Sequence, residues 1–345
     1  MRAATVVPGE SERAGVSDRP DPVSGQGELL VEGLLVGVCG TDHEVTHGGH
    51  GVLPSGASDM VLFHESLGRV LDAPDRSGFS TGDLVVGVVR RPDPVPCGPC
   101  AAGEWDYCRN GRYTERGIKA LDGYGAQRWT VPTEFAVRVD PGVGELGVLT
   151  EPASVVAKAW EQVERISARS VSRPEVALVT GAGPIGLLPT LIGVQRGLAV
   201  HVLDRVTDGP KPGLVRDLGA TYHSSPPTDL EPDVVIECTG VGELVFQVLR
   251  GTGPNAITVL TGLSGSQRTL SLAAGALNDE LVLDNDVVVG SVNANLRHYR
   301  AGADALAAAD PDWLGRLLTR RVPLERWTDA LQREDDDVKV VVDLH

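Results

Sequence analysis

The feature that most constrains this chain is Gly181-Ala182-Gly183-Pro184-Ile185-Gly186, set between the apolar run Val176–Thr180 and an apolar segment over 185–196. Strand, glycine loop and helix in that order make a cradle for a dinucleotide. The glycines permit a tight turn and let the backbone approach a pyrophosphate, which then lies on the helix N-terminus. Glycine spacing alone is weak; the flanking strand and helix give it meaning. Further apolar runs follow at 200–204, 234–237, 256–260 and 287–290. Near-continuous apolar strands alternating with helices predict an α/β fold with a parallel sheet covered on both faces. Asp204 closes the second of these strands, where an acid accepts hydrogen bonds from the adenosine ribose and repels a 2′-phosphate. The spacing therefore favours NAD over NADP, although Arg205 beside it would instead greet that phosphate.

The rest of the chain has a different texture. Residues 1 to about 150 read as short β segments between Gly/Pro turns, with 27–37 and 83–89 typical. The 42 glycines, 23 prolines and only 4% aromatics fit such a strand-rich, loop-rich region. Around Glu151 helical spacing begins, with Val155, Ala159 and Val163 on one face of a helix over 152–166. The last apolar run, 338–343, is a strand able to pair with the N-terminal β region. The expected division is a β-rich domain at 1–152, a dinucleotide-binding domain at 153–295, and a segment at 296–345 that returns to the first.

A net charge of −16, from 47 acidic and 31 basic residues, argues against nucleic acid and against an anionic membrane surface. No apolar run approaches the roughly 20 residues of a membrane span. The opening Met-Arg-Ala-Ala-Thr-Val-Val-Pro has no signal-peptide apolar region, so a cytoplasmic protein is expected. Three of the five cysteines, Cys97, Cys100 and Cys108, fall within twelve residues. In an unexported chain that spacing suits metal better than disulfides. Cys238, at a strand end, reads as core packing.

Cys39 in Val-Gly-Val-Cys39-Gly-Thr41-Asp, the pair His64-Glu65, and Glu151 in Leu-Thr-Glu151-Pro together offer a thiolate, an imidazole and carboxylates. Zn²⁺ prefers such donors, and fewer than four permanent protein ligands leave a position open for substrate. Each has a plainer reading alone: Cys39 as a small buried hydrophobe, His64-Glu65 as an exposed polar pair, Glu151 as a helix N-terminal acid.

Taken with the dinucleotide loop, these residues resemble the medium-chain dehydrogenase/reductase superfamily, whose motifs run G-x-C-G-T-D, then G-H-E, then an acid or cysteine ahead of the cofactor domain. The closer resemblance is to the glucose (aldose 1-) dehydrogenase branch. It is carried by Val36-Gly-Val-Cys-Gly-Thr-Asp-His-Glu44, Gly48-Gly-His-Gly51, Val88-Val-Arg-Arg-Pro92, Thr114-Glu-Arg-Gly-Ile118 and Gly290-Ser-Val-Asn293, and it spans nearly the whole chain. One departure is Phe63, where that branch has glycine before His-Glu; it adds bulk near the metal.

The resemblance implies a GroES-like β-rich catalytic domain joined to a Rossmann domain. It implies a catalytic zinc shell of Cys39, His64, Glu65 and Glu151, with Glu65 and Glu151 exchanging with water and substrate. Thr41 would meet the reacting alcohol and begin a proton relay that His43 extends. Glu115, Asn293 and His298 would grip sugar hydroxyls, with Asn293 also near the nicotinamide. Gly181, Gly183, Pro184, Ile185, Gly186, Asp204 and Arg205 would hold the dinucleotide.

Cys97, Cys100 and Cys108 match a structural zinc lobe of the superfamily from which the first of four cysteines is missing. Asp93 or Pro94 falls at its place, and only Asp93 could ligate. Either Asp93 completes the site, another side chain does, or the lobe holds no zinc; bound zinc is the expectation. The implied reaction moves a hydride between NAD(P) and the C1 hydroxyl of an aldose such as glucose, giving the lactone. Alternatives are the same chemistry on an aminocyclitol, a modified sugar or another secondary alcohol and, more remotely, a non-catalytic dinucleotide-binding protein. Relatives of this kind suggest a homo-oligomer, dimer or tetramer.

Overall fold

In the computed structural model, Glu28–Val38 is the strand on which the β-rich part of the chain is built. Its alternation buries Leu29, Val31 and Leu35 on one side. The structure describes residues 1–48, 50–171, 173–264 and 268–345; Gly49, within the stretch Gly48-Gly-His-Gly51, lies outside the described residues.

The described residues divide into two units, Met1–Ser154 with Asn293–His345, and Val155–Val292. In the first, one sheet runs Ala136–Arg138, Leu84–Gly87, Glu65–Asp72, Glu28–Val38, Lys339–Asp343, Leu318–Pro323, and Arg128–Pro132 also pairs with Glu28–Val38. The C-terminal strand Lys339–Asp343 lies antiparallel on Glu28–Val38, with Val341 opposite Gly37. On its other side Gly37 faces Glu65. Two small sheets complete the unit: Glu10–Asp18, Arg2–Val7, Met60–Val61, and Arg90–Arg91, Thr114–Arg116, Ala120–Leu121.

The second unit is a six-stranded parallel sheet. Its order is Thr221–His223, Ala199–Leu203, Val176–Thr180, Val234–Glu237, Ile257–Leu260, Val287–Gly290. Counted within the unit this is 3-2-1-4-5-6, the Rossmann order, which puts the first strand and its loop at the crossover. Leu178, Leu203, Val235 and Val248 form a buried cluster there. The α/β expectation holds, with a Rossmann sheet in one unit and β-rich sheets in the other. The helix Thr150–Ser167 carries Glu151 in its first turn. Among the described residues no helix is long and apolar enough to cross a membrane.

Candidate active site

Two adjacent strands create the metal-ligating cluster. Cys39 follows the end of Glu28–Val38 and is the N-cap residue of the helix Gly40–His47. His64 immediately precedes the neighbouring strand, which Glu65 opens. The donor atoms of Cys39, His64 and Glu65 lie within 4.8 Å of one another. Cys39 Sγ is 3.2 Å from His64 Nε2. Asp42 stands behind both: one carboxylate oxygen accepts the Cys39 N–H at 2.8 Å and the other lies 3.3 Å from His64 Nδ1. A carboxylate behind the imidazole fixes the ring and leaves Nε2 for a metal.

The donor set fits zinc. Burial pushes the Cys39 thiol up, with Asp42 adding to the effect. A thiolate at that depth is stable only beside a cation. Glu151 lies outside the 4.8 Å group but within its electrostatic reach. Burial pushes its carboxyl up to about 7; His64 and Lys339 oppose the rise, while Glu65 and Asp42 add to it.

Lys339 was not visible as a site residue in the sequence. Its Nζ forms an ion pair with Glu65 and donates to the Val38 carbonyl at 3.0 Å, and the side chain is fully buried. Gly37 makes room for this pair: a Cβ there would collide with Glu65 Oε2 and crowd Lys339 Cε. The available signal was a lysine inside Val338-Lys-Val-Val-Val342, an apolar strand with a charge that requires a partner.

Thr41 sits half-buried in the first turn after Cys39. His43 is exposed, its ring stacked on His47. Phe63 adopts φ 71°, a left-handed conformation that suits glycine, yet its ring is wholly buried and meets Trp327 edge-on at 5.5 Å. The bulk expected near the metal is thus packed into the core.

Cys97, Cys100 and Cys108 form the second group with donors within 4.8 Å. The Arg109 N–H, 3.4 Å from Cys97 Sγ, leads the effects that bring this thiol down to about 7; burial pushes Cys100 up to about 11. Asp93 does not join them as a carboxylate ligand. Its Oδ1 accepts the Val95 N–H at 2.8 Å, and its Oδ2 accepts Asn110 Nδ2 at 2.9 Å and Arg112 Nε at 3.2 Å. Only its backbone turns toward Cys100. The expected fourth ligand is instead the hub of a turn.

A polar network surrounds Glu115. Its Oε1 accepts Arg90 Nε at 3.0 Å and Asn293 Nδ2 at 2.9 Å and pairs with Arg90 Nη2 at 2.9 Å. Arg90 also donates to the Asp106 carbonyl at 3.3 Å and lies over the Tyr113 ring at 3.8 Å. Asn293 is held at φ 59°, a conformation asparagine tolerates better than most residues. His298 is buried; its Nδ1 accepts the Asn295 N–H at 3.1 Å, and Asn295 Nδ2 donates to Asp106 Oδ1 at 2.9 Å. Glu115, Asn293 and His298 therefore belong to one connected network.

The dinucleotide loop lies in the second unit. Gly181 has φ 86°, and a Cβ on Gly186 would overlap the Gly181 carbonyl, so neither of these two positions admits a side chain without strain. Gly183 caps the helix Pro184–Gln195, with Pro184 in its first turn, Ile185 half-buried and Gly186 buried. Asp204 Oδ2 accepts the Ala182 N–H at 2.6 Å and Oδ1 the Val206 N–H at 3.0 Å. Oδ2 thus braces the loop and Oδ1 closes the turn after its own strand, while Arg205 is exposed.

The family comparisons agree with this arrangement. Residues 25–141 match the model of the alcohol dehydrogenase GroES-like domain, and residues 144–344 match that of the glucose dehydrogenase C-terminus. This chain belongs to the glucose dehydrogenase branch of the medium-chain dehydrogenase/reductase superfamily. Among glucose dehydrogenases of that branch, it is 39% identical to glucose 1-dehydrogenase of Methanocella arvoryzae over 100% of this chain and 99% of the relative. It is 40% identical to glucose 1-dehydrogenase of Thermoproteus tenax over 99% of each chain. Among solved structures, it is similar to the Haloferax mediterranei glucose dehydrogenase in complex with NADP, Zn and gluconolactone. That match has a TM-score of 0.92 and 33% identity, and covers 100% of this chain and 99% of the other.

Proposed function

We propose that the chain is a zinc-dependent dehydrogenase that oxidises the C1 hydroxyl of an aldose, with glucose the leading substrate, to the lactone. The observation that carries this reading is the Cys39–His64–Glu65 donor group, built on a fold whose relative is solved with NADP, zinc and gluconolactone. Zinc, when bound, supplies Lewis-acid polarisation of an alcohol oxygen, and the nicotinamide supplies a hydride acceptor. Cys39, His64 and Glu65 would hold the ion, with Glu65 and Glu151 as the ligands that exchange with water and substrate.

The chain's own groups do the remaining work. Thr41 takes the proton from the alcohol at its hydroxyl and passes it outward. His43, exposed on the same helix, is the candidate to receive it. Glu115 Oε2 accepts a sugar hydroxyl, because Oε1 is committed to Arg90 and Asn293. A buried acceptor left without its hydroxyl partner is costly, which selects a polyol over a plain alcohol.

For the cofactor, the reading moves to NADP. Asp204 is tied to Ala182 and Val206, and the exposed Arg205 is the residue suited to a 2′-phosphate. The solved relative contains NADP. The partner in assembly is inferred to be a second copy. Val287–Gly290 is an edge strand of the parallel sheet among the described residues, and Val288 and Val292 are exposed along it with Val282 and Leu283 nearby in sequence.

The test is glucose-dependent NADP reduction together with zinc content, wild type beside Cys39→Ser. Wild type is expected to reduce NADP, and the variant to lose one zinc and at least about a hundredfold in kcat/KM. Zinc content unchanged by the substitution overturns the reading. Zinc loss in the variant, with a wild type inactive on glucose but active on another polyol, moves the substrate and keeps the chemistry.

A further inference from the structure

We propose that His43 and His47 form a surface site for a divalent transition ion of the copper, nickel or zinc class, separate from both cysteine-containing groups. The two histidines stand four apart on the helix Gly40–His47, a spacing that puts side chains on one face. Their rings are nearly parallel, 18° apart, with centroids 4.1 Å apart, and both are exposed.

The hydrogen bonding prepares one ligand. His47 Nδ1 lies 3.0 Å from the His43 carbonyl oxygen. A carbonyl oxygen only accepts, so Nδ1 carries the hydrogen and Nε2 of the neutral ring carries the lone pair. An imidazole bonded through one nitrogen to a backbone carbonyl and open at the other is the usual arrangement of a metal-binding histidine. The His43 ring stands stacked alongside; because an imidazole lone pair lies in its ring plane, chelation requires this exposed ring to turn about its side-chain bonds until its lone pair meets that of His47 Nε2.

The helix is also held still. Val45, Thr46 and Asp42 are buried on its other side, the Val45 carbonyl accepts the Gly9 N–H at 3.0 Å, and Thr46 Oγ1 donates to the Asp42 carbonyl at 2.8 Å. Gly48 ends it in a left-handed cap, donating to the Glu44 carbonyl at 3.0 Å. The fixed helix keeps the backbone cost of chelation small, and the remaining cost is the unstacking of the two rings. The remaining positions fall to water. With nitrogen donors and no thiolate, the affinity order follows the Irving–Williams series, copper above nickel and zinc. His50, the nearest other imidazole in the sequence, is paired instead with Glu44 at 3.2 Å.

Calorimetric titration of Ni²⁺ into the full-length, zinc-loaded protein tests this, with zinc content checked before and after. One Ni²⁺ per chain is expected, with affinity falling at least about tenfold in both His43→Gln and His47→Gln, because each removes one arm of a chelate. Ni²⁺ binding should also raise the melting temperature of wild type and not of either variant. His50→Gln should bind as wild type does. No Ni²⁺ uptake below about millimolar concentration, where a lone exposed histidine would do as well, overturns the proposal. So does wild-type affinity in either His43→Gln or His47→Gln. A matching loss in His50→Gln shifts the site to the Glu44–His50 corner and overturns the assignment too. All three side chains are on the surface, and unchanged circular dichroism and unliganded melting temperature separate lost binding from lost folding.

Discussion

Lys339 closes an ion pair on Glu65 in the interior, joining the last strand of the chain to a residue of the candidate metal centre. Both side chains are almost wholly buried. Removing one partner strands the other charge in a poorly polarisable core, which costs about 3–5 kcal/mol. Lys339→Met in zinc-free protein should therefore lower the urea midpoint substantially, and adding Glu65→Gln should recover part of the loss. An unchanged midpoint in the single variant would mean that Glu65 is neutral there.

Arg90 is expected to act on sugar binding through Glu115. Its double hold on Oε1 fixes the orientation of Oε2, and the pair is buried. Arg90→Met should raise KM for glucose roughly 10- to 100-fold, the 1–3 kcal/mol scale of a buried polar group that loses its partner. KM for NADP should stay within about twofold. Arg90→Lys should recover part of the effect, since lysine supplies the charge without the fork. A fall in kcat at constant glucose KM would place Glu115 outside sugar binding.

Arg205 tests the cofactor reading. It is exposed, so a contact with a 2′-phosphate is screened and worth about a factor of ten rather than a thousand. Arg205→Ala should raise KM for NADP by about that factor and leave KM for NAD unchanged. Equal effects on both cofactors would remove the phosphate contact.

The sheet of the second unit carries a pH dependence of its own. His201 Nδ1 and His223 Nε2 are 2.9 Å apart on neighbouring strands, and burial holds both imidazoles below their ordinary range; His201 is lowered further by His223. A folded pKa below the unfolded value means that the unfolded chain takes up protons first. The stabilising contribution is therefore complete above about 6.5, the unfolded value, and is lost as pH falls below it. Melting temperatures from pH 8 to pH 5 should fall more steeply in wild type than in His201→Gln. Parallel curves would assign acid destabilisation to other groups.

What the sequence revealed and what it hid divide along physical lines. The dinucleotide loop was legible because its strand, glycines and helix are contiguous and the constraint is local: Gly186 has no space for a side chain. Cys39, His64 and Glu65 could be put forward together because each stands in a short motif, and two neighbouring strands gather them. Lys339 was hidden because its role depends on a strand pairing between the two ends of the chain, and no local pattern records it. Asp204 was legible as the residue after its strand but not as a brace for the loop, since that depends on the backbone N–H of Ala182, twenty-two residues away. Phe63 looked like an obstruction because the sequence does not show the side chain turning toward Trp327.

Asp93 is the position where spacing and geometry part most clearly, and zinc content can separate them. Spacing makes it the fourth ligand of the Cys97, Cys100 and Cys108 group. The structure gives its two carboxylate oxygens to Val95, Asn110 and Arg112, which leaves the thiols to be completed by another ligand or by water. Asn at this position keeps an acceptor for the Val95 N–H and gives up the charge opposite Arg112. The expected outcome is that Asp93→Asn retains the lobe zinc and loses about 1–3 kcal/mol of stability, because its buried amide NH2 then faces the Asn110 and Arg112 donors that Oδ2 had accepted. Cys100→Ser should lose that zinc outright. If Asp93→Asn instead releases zinc as completely as Cys100→Ser, the carboxylate turns inward when metal is bound, and the turn built on Val95 and Asn110 must open to let it.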